Sequence, residues 1–287
     1  MEIIVGKYSG FCNGVKNTVN KAYEELEKND IVYSIGDIVH NEVIINKLKE
    51  KGLVVVNDLS NIPNGSKVII RAHGEGIDVY RKAKNKDIDL IDLTCGRVKL
   101  VHNKILSKKN SFIIIIGKKH HPETIAHKSY SESSYVVEYK DDIYDAYASY
   151  LASGKKDIFI VSQTTFNSEL FDNIVNEIKK VFENVPIVVD KTICNATTIR
   201  QEEAKEIANH VDKMIVIGGK NSSNTKELEV VAKNCCPYVY LIQTKDDLFS
   251  EMFDEKDVIG ITAGASTPKE VIDDVVNYLS SIYKKTK

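Results

Sequence analysis

Tryptophan is absent from this chain of 287 residues, and so is any low-complexity tract. Neither sign of charge dominates. The formal net charge is −2, so the whole-protein field argues neither for nucleic acid nor for an acidic membrane surface as partner. Long apolar runs are missing too. Phe112 to Ile116 is typical of the longest, far too short to span a bilayer. Met1-Glu2-Ile3-Ile4-Val5 has no basic region and no extended apolar stretch, so it reads as a strand and not as a signal peptide. Cysteine is scarce and odd in number, five in all. Without an export signal, that count argues against a disulfide framework and points to the cytoplasm. No nucleotide or flavin motif is present. Gly218-Gly219-Lys220 lacks the glycine spacing before lysine that a P-loop needs.

What the chain does have is an internal repeat. Cys12 lies in Gly10-Phe11-Cys12-Asn13-Gly14, Cys95 in Leu93-Thr94-Cys95-Gly96-Arg97, and Cys194 in Thr192-Ile193-Cys194-Asn195-Ala196. A helix-like segment follows each, then an apolar run ending in Ile35-Gly36, Ile116-Gly117 or Ile217-Gly218. The three glycines fall 24, 22 and 24 residues after their cysteines. Each Ile-Gly opens a polar loop, Asp37 to Asn41, Lys118 to Thr124 and Gly219 to Thr225. A later strand then ends in a second loop, at Arg71-Ala72-His73-Gly74, Ser162-Gln163-Thr164-Thr165 and Thr262 to Thr267. Self-similarity of this kind outranks local propensity. A period of roughly 80 to 100 residues suits three small α/β domains, with boundaries at 1–94 (carrying the N-terminal strand and the Cys12 loop), 95–192 and 193–287. Apolar strands such as Phe112 to Ile116 and Met214 to Ile217 suit sheets covered on both faces. The Lys-rich tail, Lys284 to Lys287, reads as a frayed, solvated end.

The chemistry-bearing residues gather in those loops. If the three stretches pack about a common axis, Cys12, Cys95 and Cys194 converge and leave a metal centre with an open position. Cys235 and Cys236 lead into a strand and read as core. His40, His73 and His121 occupy loop positions suited to ligand contact; His120 is a weaker candidate. His102, His127 and His210 read as ordinary helix residues. Glu123 follows His-Pro at a helix start, where a carboxylate can cap or donate a proton. Thr164, Thr165, Ser222, Ser223, Asn224 and Ser266 could each cap a helix. As a set facing one cavity they would suit a phosphate or diphosphate, since strand ends and helix N-termini are where α/β proteins bind anions.

Eight of these motifs, in order and over essentially the whole chain, resemble the LytB family of 4-hydroxy-3-methylbut-2-enyl diphosphate reductases. They are Gly10 to Val15, Val39-His40-Asn41, Ala72-His73-Gly74, His121-Pro122-Glu123, Gln163-Thr164-Thr165, Ile193 to Thr197, Lys220 to Asn224 and Thr262 to Ser266. The resemblance implies a trefoil of three pseudo-equivalent α/β domains around an iron–sulfur cluster, [4Fe–4S] when active, held by Cys12, Cys95 and Cys194. It implies that His40, His73, His121, Ser222, Ser223, Asn224 and Ser266 bind the substrate diphosphate, and that Glu123 and Thr164, with His121 beside them, handle the hydroxyl and its proton. The products implied are isopentenyl and dimethylallyl diphosphate. A one-electron donor protein, ferredoxin or flavodoxin, must supply the electrons. Two departures stand out. Gly96-Arg97 follows the second cysteine where the family has proline, and Lys118 stands where it often has histidine. Two other classes stay open on the residues alone: a three-cysteine zinc enzyme acting on a phosphorylated metabolite, and an iron–sulfur sensor without turnover.

Overall fold

Each cysteine segment opens the same series of elements in the computed structural model, which describes residues 2–284. The chain starts with β1 (Glu2–Val5). The first repeat runs α1 (Asn13–Lys28), β2 (Val32–Ile35), α2 (Glu42–Lys49), β3 (Leu53–Val56), β4 (Lys67–Ile70), α3 (Ile77–Asn85) and β5 (Asp89–Asp92). The second runs α4 (Gly96–Ser107), β6 (Phe112–Ile116), α5 (Pro122–Ser129), β7 (Ser134–Val137), α6 (Asp142–Ser153), β8 (Ile158–Ser162), α7 (Ser168–Val181) and β9 (Ile187–Val189). The third runs α8 (Asn195–Ala208), β10 (Lys213–Ile217), α9 (Ser223–Lys233), β11 (Tyr238–Ile242), β12 (Val258–Ala263) and α10 (Lys269–Lys284). Met1 lies outside the described residues. So does the expected frayed end beyond Lys284.

The strands form three four-stranded parallel sheets, ordered β3-β2-β4-β5, β7-β6-β8-β9 and β11-β10-β12-β1. The order is the same three times. In the third sheet the fourth place is taken by β1, whose Glu2 to Val5 pair with Val258 to Ile261. The N-terminal strand therefore completes the last repeat and not the first.

Parallel sheets must be covered on both faces, and β6 shows how its sequence meets that need. All five residues of Phe112-Ile113-Ile114-Ile115-Ile116 are buried. Phe112, Ile114 and Ile116 pack with Phe171, Ile174 and Ile178 of α7. Ile113 and Ile115 turn the other way, onto Val101 and Ile105 of α4. Alternation along a strand thus splits one apolar run between two layers, each buried side chain contributing about 1.5–3 kcal/mol. In β10, Ile215 and Ile217 join the layer of α10, while Met214 and Val216 join that of α8 and α9.

By contact density the chain divides into two compact units. One comprises residues up to Lys16, the stretch Val39–Asn46 and everything from Asn195, and so contains the third sheet. The other comprises Asn17–Ile38 and Lys47–Cys194, with the first two sheets. Among the described residues no helix is long and apolar enough to cross a membrane.

Candidate functional site

The three cysteines occupy one structural position. Each follows the fourth strand of a sheet and stands immediately before a helix: Cys12 before α1, Cys95 before α4, Cys194 before α8. The backbone N–H of Cys12 donates to Ala265 O at 3.1 Å, that of Cys95 to Ala72 O at 3.0 Å, and that of Cys194 to Thr164 O at 2.9 Å. Each acceptor lies in the loop after the third strand of its sheet, β12, β4 or β8. The same hydrogen bond therefore fixes each cysteine, and all three side chains are partly exposed. Val15 N–H donates to Cys12 Sγ at 3.4 Å. Cys236 is the contrast. It is buried, its thiol donates to Asp212 O and Tyr238 O at 3.5 Å, and burial pushes its proton affinity up. Each of the three loops thus offers one partly exposed thiol, a donor suited to a metal or cluster, and Cys236 does not share that position.

Two further features brace the Cys12 loop. Gly10 has φ +93, and a Cβ there would meet Ile272 Cδ1 at 3.1 Å and Thr267 O at 3.2 Å, so the Gly-Phe-Cys motif needs its glycine. Arg200, on α8 and 5% exposed, donates to Gly10 O at 2.8 Å and to Ala196 O at 2.7 Å. One guanidinium thus holds carbonyls two residues from Cys12 and two from Cys194. Arg200→Ala would remove the guanidinium from Gly10 O, at about 1–3 kcal/mol for a buried group left unpaired, while Ala196 O lies inside α8 and keeps its place in the helix ladder. The variant's melting temperature is expected to fall, with Arg200→Lys between; an unchanged melting temperature would make the clamp dispensable.

The neutral donors of the first unit gather at the start of α9. Ser222 is its N-cap, accepting from Thr225 N–H at 3.3 Å. Ser223 and Asn224 are buried. Both amide atoms of Asn224, which is 4% exposed, lack a hydrogen-bond partner among the described residues. Buried amides are normally satisfied, and this one is an exception. Ser266 donates to His40 O at 3.2 Å, placing two expected ligand residues side by side.

The second unit carries the acid–base groups. His121 is the N-cap of α5, its Nδ1 accepting from Glu123 N–H at 3.2 Å. With Nδ1 an acceptor, the neutral ring carries its proton on Nε2. The rings of His73 and His121 meet edge to face, 5.3 Å between centroids. Since His121 takes the cap, Glu123 turns its carboxylate inward, 1% exposed. Oε1 accepts from Thr164 N–H at 2.5 Å and Oε2 from Thr164 Oγ1 at 2.9 Å. Burial opposes the charge on Glu123. The His127 ring beside it and the Thr164 N–H outweigh it, holding the carboxyl below its ordinary range.

The sequence reading placed His102 and His127 among ordinary helix residues, and the structure differs. His127 is fully buried with Nε2 at 3.3 Å from Glu123 Oε1. The signal was present, for residues four apart on a helix share a face. His102 is also buried, and Gly74 (φ +75) lets the chain pass it, since a Cβ there would meet His102 Cε1 at 2.8 Å. Burial first, then the charge of His127, push His102 down from 6.5 to about 3. The unfolded chain therefore binds more protons between those values, and the fold loses stability as pH falls through that window. Between pH 6.5 and 5 the loss should reach about 2 kcal/mol. Melting of His102→Gln protein should be less pH-dependent there, and an unchanged slope would assign the acid sensitivity elsewhere. Of the remaining candidates, His120 is exposed. Arg97 and Gly96 are also exposed, and Lys118 N–H donates to Gln163 Oε1 at 3.0 Å.

A family model described as LytB protein matches residues 3–280. The chain is 40% identical over 285 residues to the 4-hydroxy-3-methylbut-2-enyl diphosphate reductase of Clostridioides difficile, covering 98% of this chain and 100% of that one. With the enzyme of the same name from Aquifex aeolicus it shares 38% identity, covering 98% and 97%. Among solved structures it is similar to the E-1-hydroxy-2-methyl-but-2-enyl-4-diphosphate reductase of Plasmodium falciparum, with a TM-score of 0.90, 31% identity and coverage of 97% and 88%. A second, described as the terminal enzyme of the non-mevalonate pathway, gives a TM-score of 0.68 at 36% identity, covering 98% and 100%.

Proposed function

Because the chain belongs to the LytB protein family, we propose that it catalyses the reductive dehydroxylation of 4-hydroxy-3-methylbut-2-enyl diphosphate. The products are isopentenyl and dimethylallyl diphosphate. The observation that carries this reading is the threefold recurrence of a partly exposed cysteine, pinned by the same hydrogen bond, at a helix N-terminus. Cys12, Cys95 and Cys194 would hold a [4Fe–4S] cluster and leave one iron without a protein ligand. Bound there, the cluster supplies two electrons one at a time, together with Lewis acidity. The electrons come from a donor protein, ferredoxin or flavodoxin. Free thiols suit a reducing compartment and support a cytoplasmic reading.

The side chains have separate tasks. His40, His73, His121, Ser222, Ser223, Asn224 and Ser266 bind the diphosphate as neutral donors. Thr164, whose Oγ1 lies 2.9 Å from Glu123 Oε2, orients the allylic hydroxyl. Glu123 protonates that hydroxyl, which leaves as water. Two electrons and a second proton, delivered to either end of the allyl fragment, complete the balance. Losing a hydrogen bond to a charged group costs about 1.5–3 kcal/mol. Asn224→Ala should therefore bind substrate about 10 to 100 times more weakly with its cluster intact. Calorimetry giving wild-type affinity would remove Asn224 from the diphosphate site. Anaerobic reconstitution with iron and sulfide should give brown protein; a colourless protein that retains zinc would overturn the cluster assignment.

A further inference from the structure

His127 lies one turn beyond Glu123 on α5 and is closed off from solvent. Its Nε2 stands 3.3 Å from Glu123 Oε1, yet among the described residues neither ring nitrogen has a directed hydrogen bond. The His102 ring meets it edge to face at 5.0 Å, and His102 in turn stacks on Tyr130 at 4.0 Å. His210, read from the sequence as a helix residue, lies beyond the end of α8 and is exposed, its Nδ1 2.8 Å from Glu206 O. His127 instead keeps Nε2 beside the Glu123 carboxylate, sealed from water with it. The charged and titratable groups around the pair are His121 on α5, His102 and Lys99 on α4, and Asp92 at the end of β5. His102, pushed down to about 3 first by its burial, is not a competing proton store, and of the two rings it is His127 that lies beside the carboxylate.

A resting Glu123 held as a carboxylate poses a question, for a proton donor must first be loaded. We propose that His127 is a positioning residue that stores the proton Glu123 delivers, an inference that rests on the reading of Glu123 as the proton source. In the waiting site the pair holds one proton, on His127 Nε2. During turnover the N–H bond at Nε2 breaks and an O–H bond forms at Glu123 Oε1. That O–H bond then breaks as the proton passes to the departing hydroxyl. A carboxylate and a neutral imidazole remain, and one proton from solvent reloads His127 for the next cycle. No oxidant or reductant beyond that of the reaction is involved.

The test uses the cluster-loaded protein with nitrogen-15-labelled histidine, titrated by NMR. An opposite charge at this distance shifts a titration by about one to three units. The His127 midpoint is therefore expected to fall in Glu123→Gln protein, and an unmoved midpoint would overturn the inference. The second measurement is the pH profile of kcat in His127→Gln protein. Glu123 must then hold its proton alone, so the basic limb should move to lower pH, with about tenfold loss per pH unit beyond it. KM and iron content should stay at wild-type values. A kcat lowered equally at every pH would mean that His127 only packs. If His127→Gln fails to fold, the NMR titration still decides. The two readings separate cleanly. Wild-type turnover by Glu123→Gln would sink the proton-source reading itself. A stalled Glu123→Gln enzyme whose His127 keeps its wild-type midpoint would sink only the role of His127.

Discussion

Pre-reduced Glu123→Gln protein, mixed with one equivalent of the allylic diphosphate, is expected to bind it and then stall with the hydroxyl still attached. Glutamine keeps the size of the side chain, and its oxygen can still accept from Thr164 N–H, which lies 2.5 Å from Oε1 in the wild type. It has no proton to give. General acid catalysis is typically worth about 10²–10⁴-fold, so single-turnover product formation should slow by that factor while iron content and substrate affinity hold. Product analysis by quench checks it. Isopentenyl diphosphate appearing at the wild-type rate would mean that water or the substrate's own diphosphate supplies the proton. Glu123 would then be a buried structural carboxylate, braced by Thr164 and His127.

Replacing any one of Cys12, Cys95 and Cys194 by serine should be more damaging still. These residues are equivalent by position, each pinned through its N–H to the loop after the third strand. Losing a partner in the outer shell of a metal site already costs about 10–100-fold, so losing a ligand should exceed that in activity and strip most of the iron. Cys235→Ser should retain its cluster. Cys236→Ser is a packing change at a thiol buried against Val211, Asp212 and Tyr238 carbonyls, and should lower stability without lowering iron per folded molecule. Full iron retention in Cys194→Ser would dismantle the three-ligand scheme.

Much of this was legible in the sequence because the repeat is local. Apolar runs such as Phe112 to Ile116, followed by Gly and a polar loop, specify strand, turn and helix with little need of distant context. The cysteine offsets place the thiols at equivalent points of that series. Long-range pairing was not legible. Nothing within Glu2 to Val5 says that it pairs with β12, more than 250 residues away, because a parallel ladder takes its register from the partner. Arg200 was missed for the same reason, since its acceptor Gly10 O lies 190 residues off. His127 is a different case. Its spacing from Glu123 was in plain view, but a sequence does not reveal that both side chains are sealed from water. Burial is what turns an i,i+4 neighbour into a proton partner. The capping of α5 was half legible: a carboxylate or a histidine could have taken the cap, and His121 Nδ1 took it, which freed Glu123 for Thr164.

The most direct test of the account is turnover by the wild-type protein. Reconstituted anaerobically with iron and sulfide, then supplied with a reduced one-electron dye and 4-hydroxy-3-methylbut-2-enyl diphosphate, it should consume two electrons per molecule of substrate. Isopentenyl and dimethylallyl diphosphate should appear together. A fully loaded brown protein that binds the diphosphate and leaves its hydroxyl in place would contradict the account.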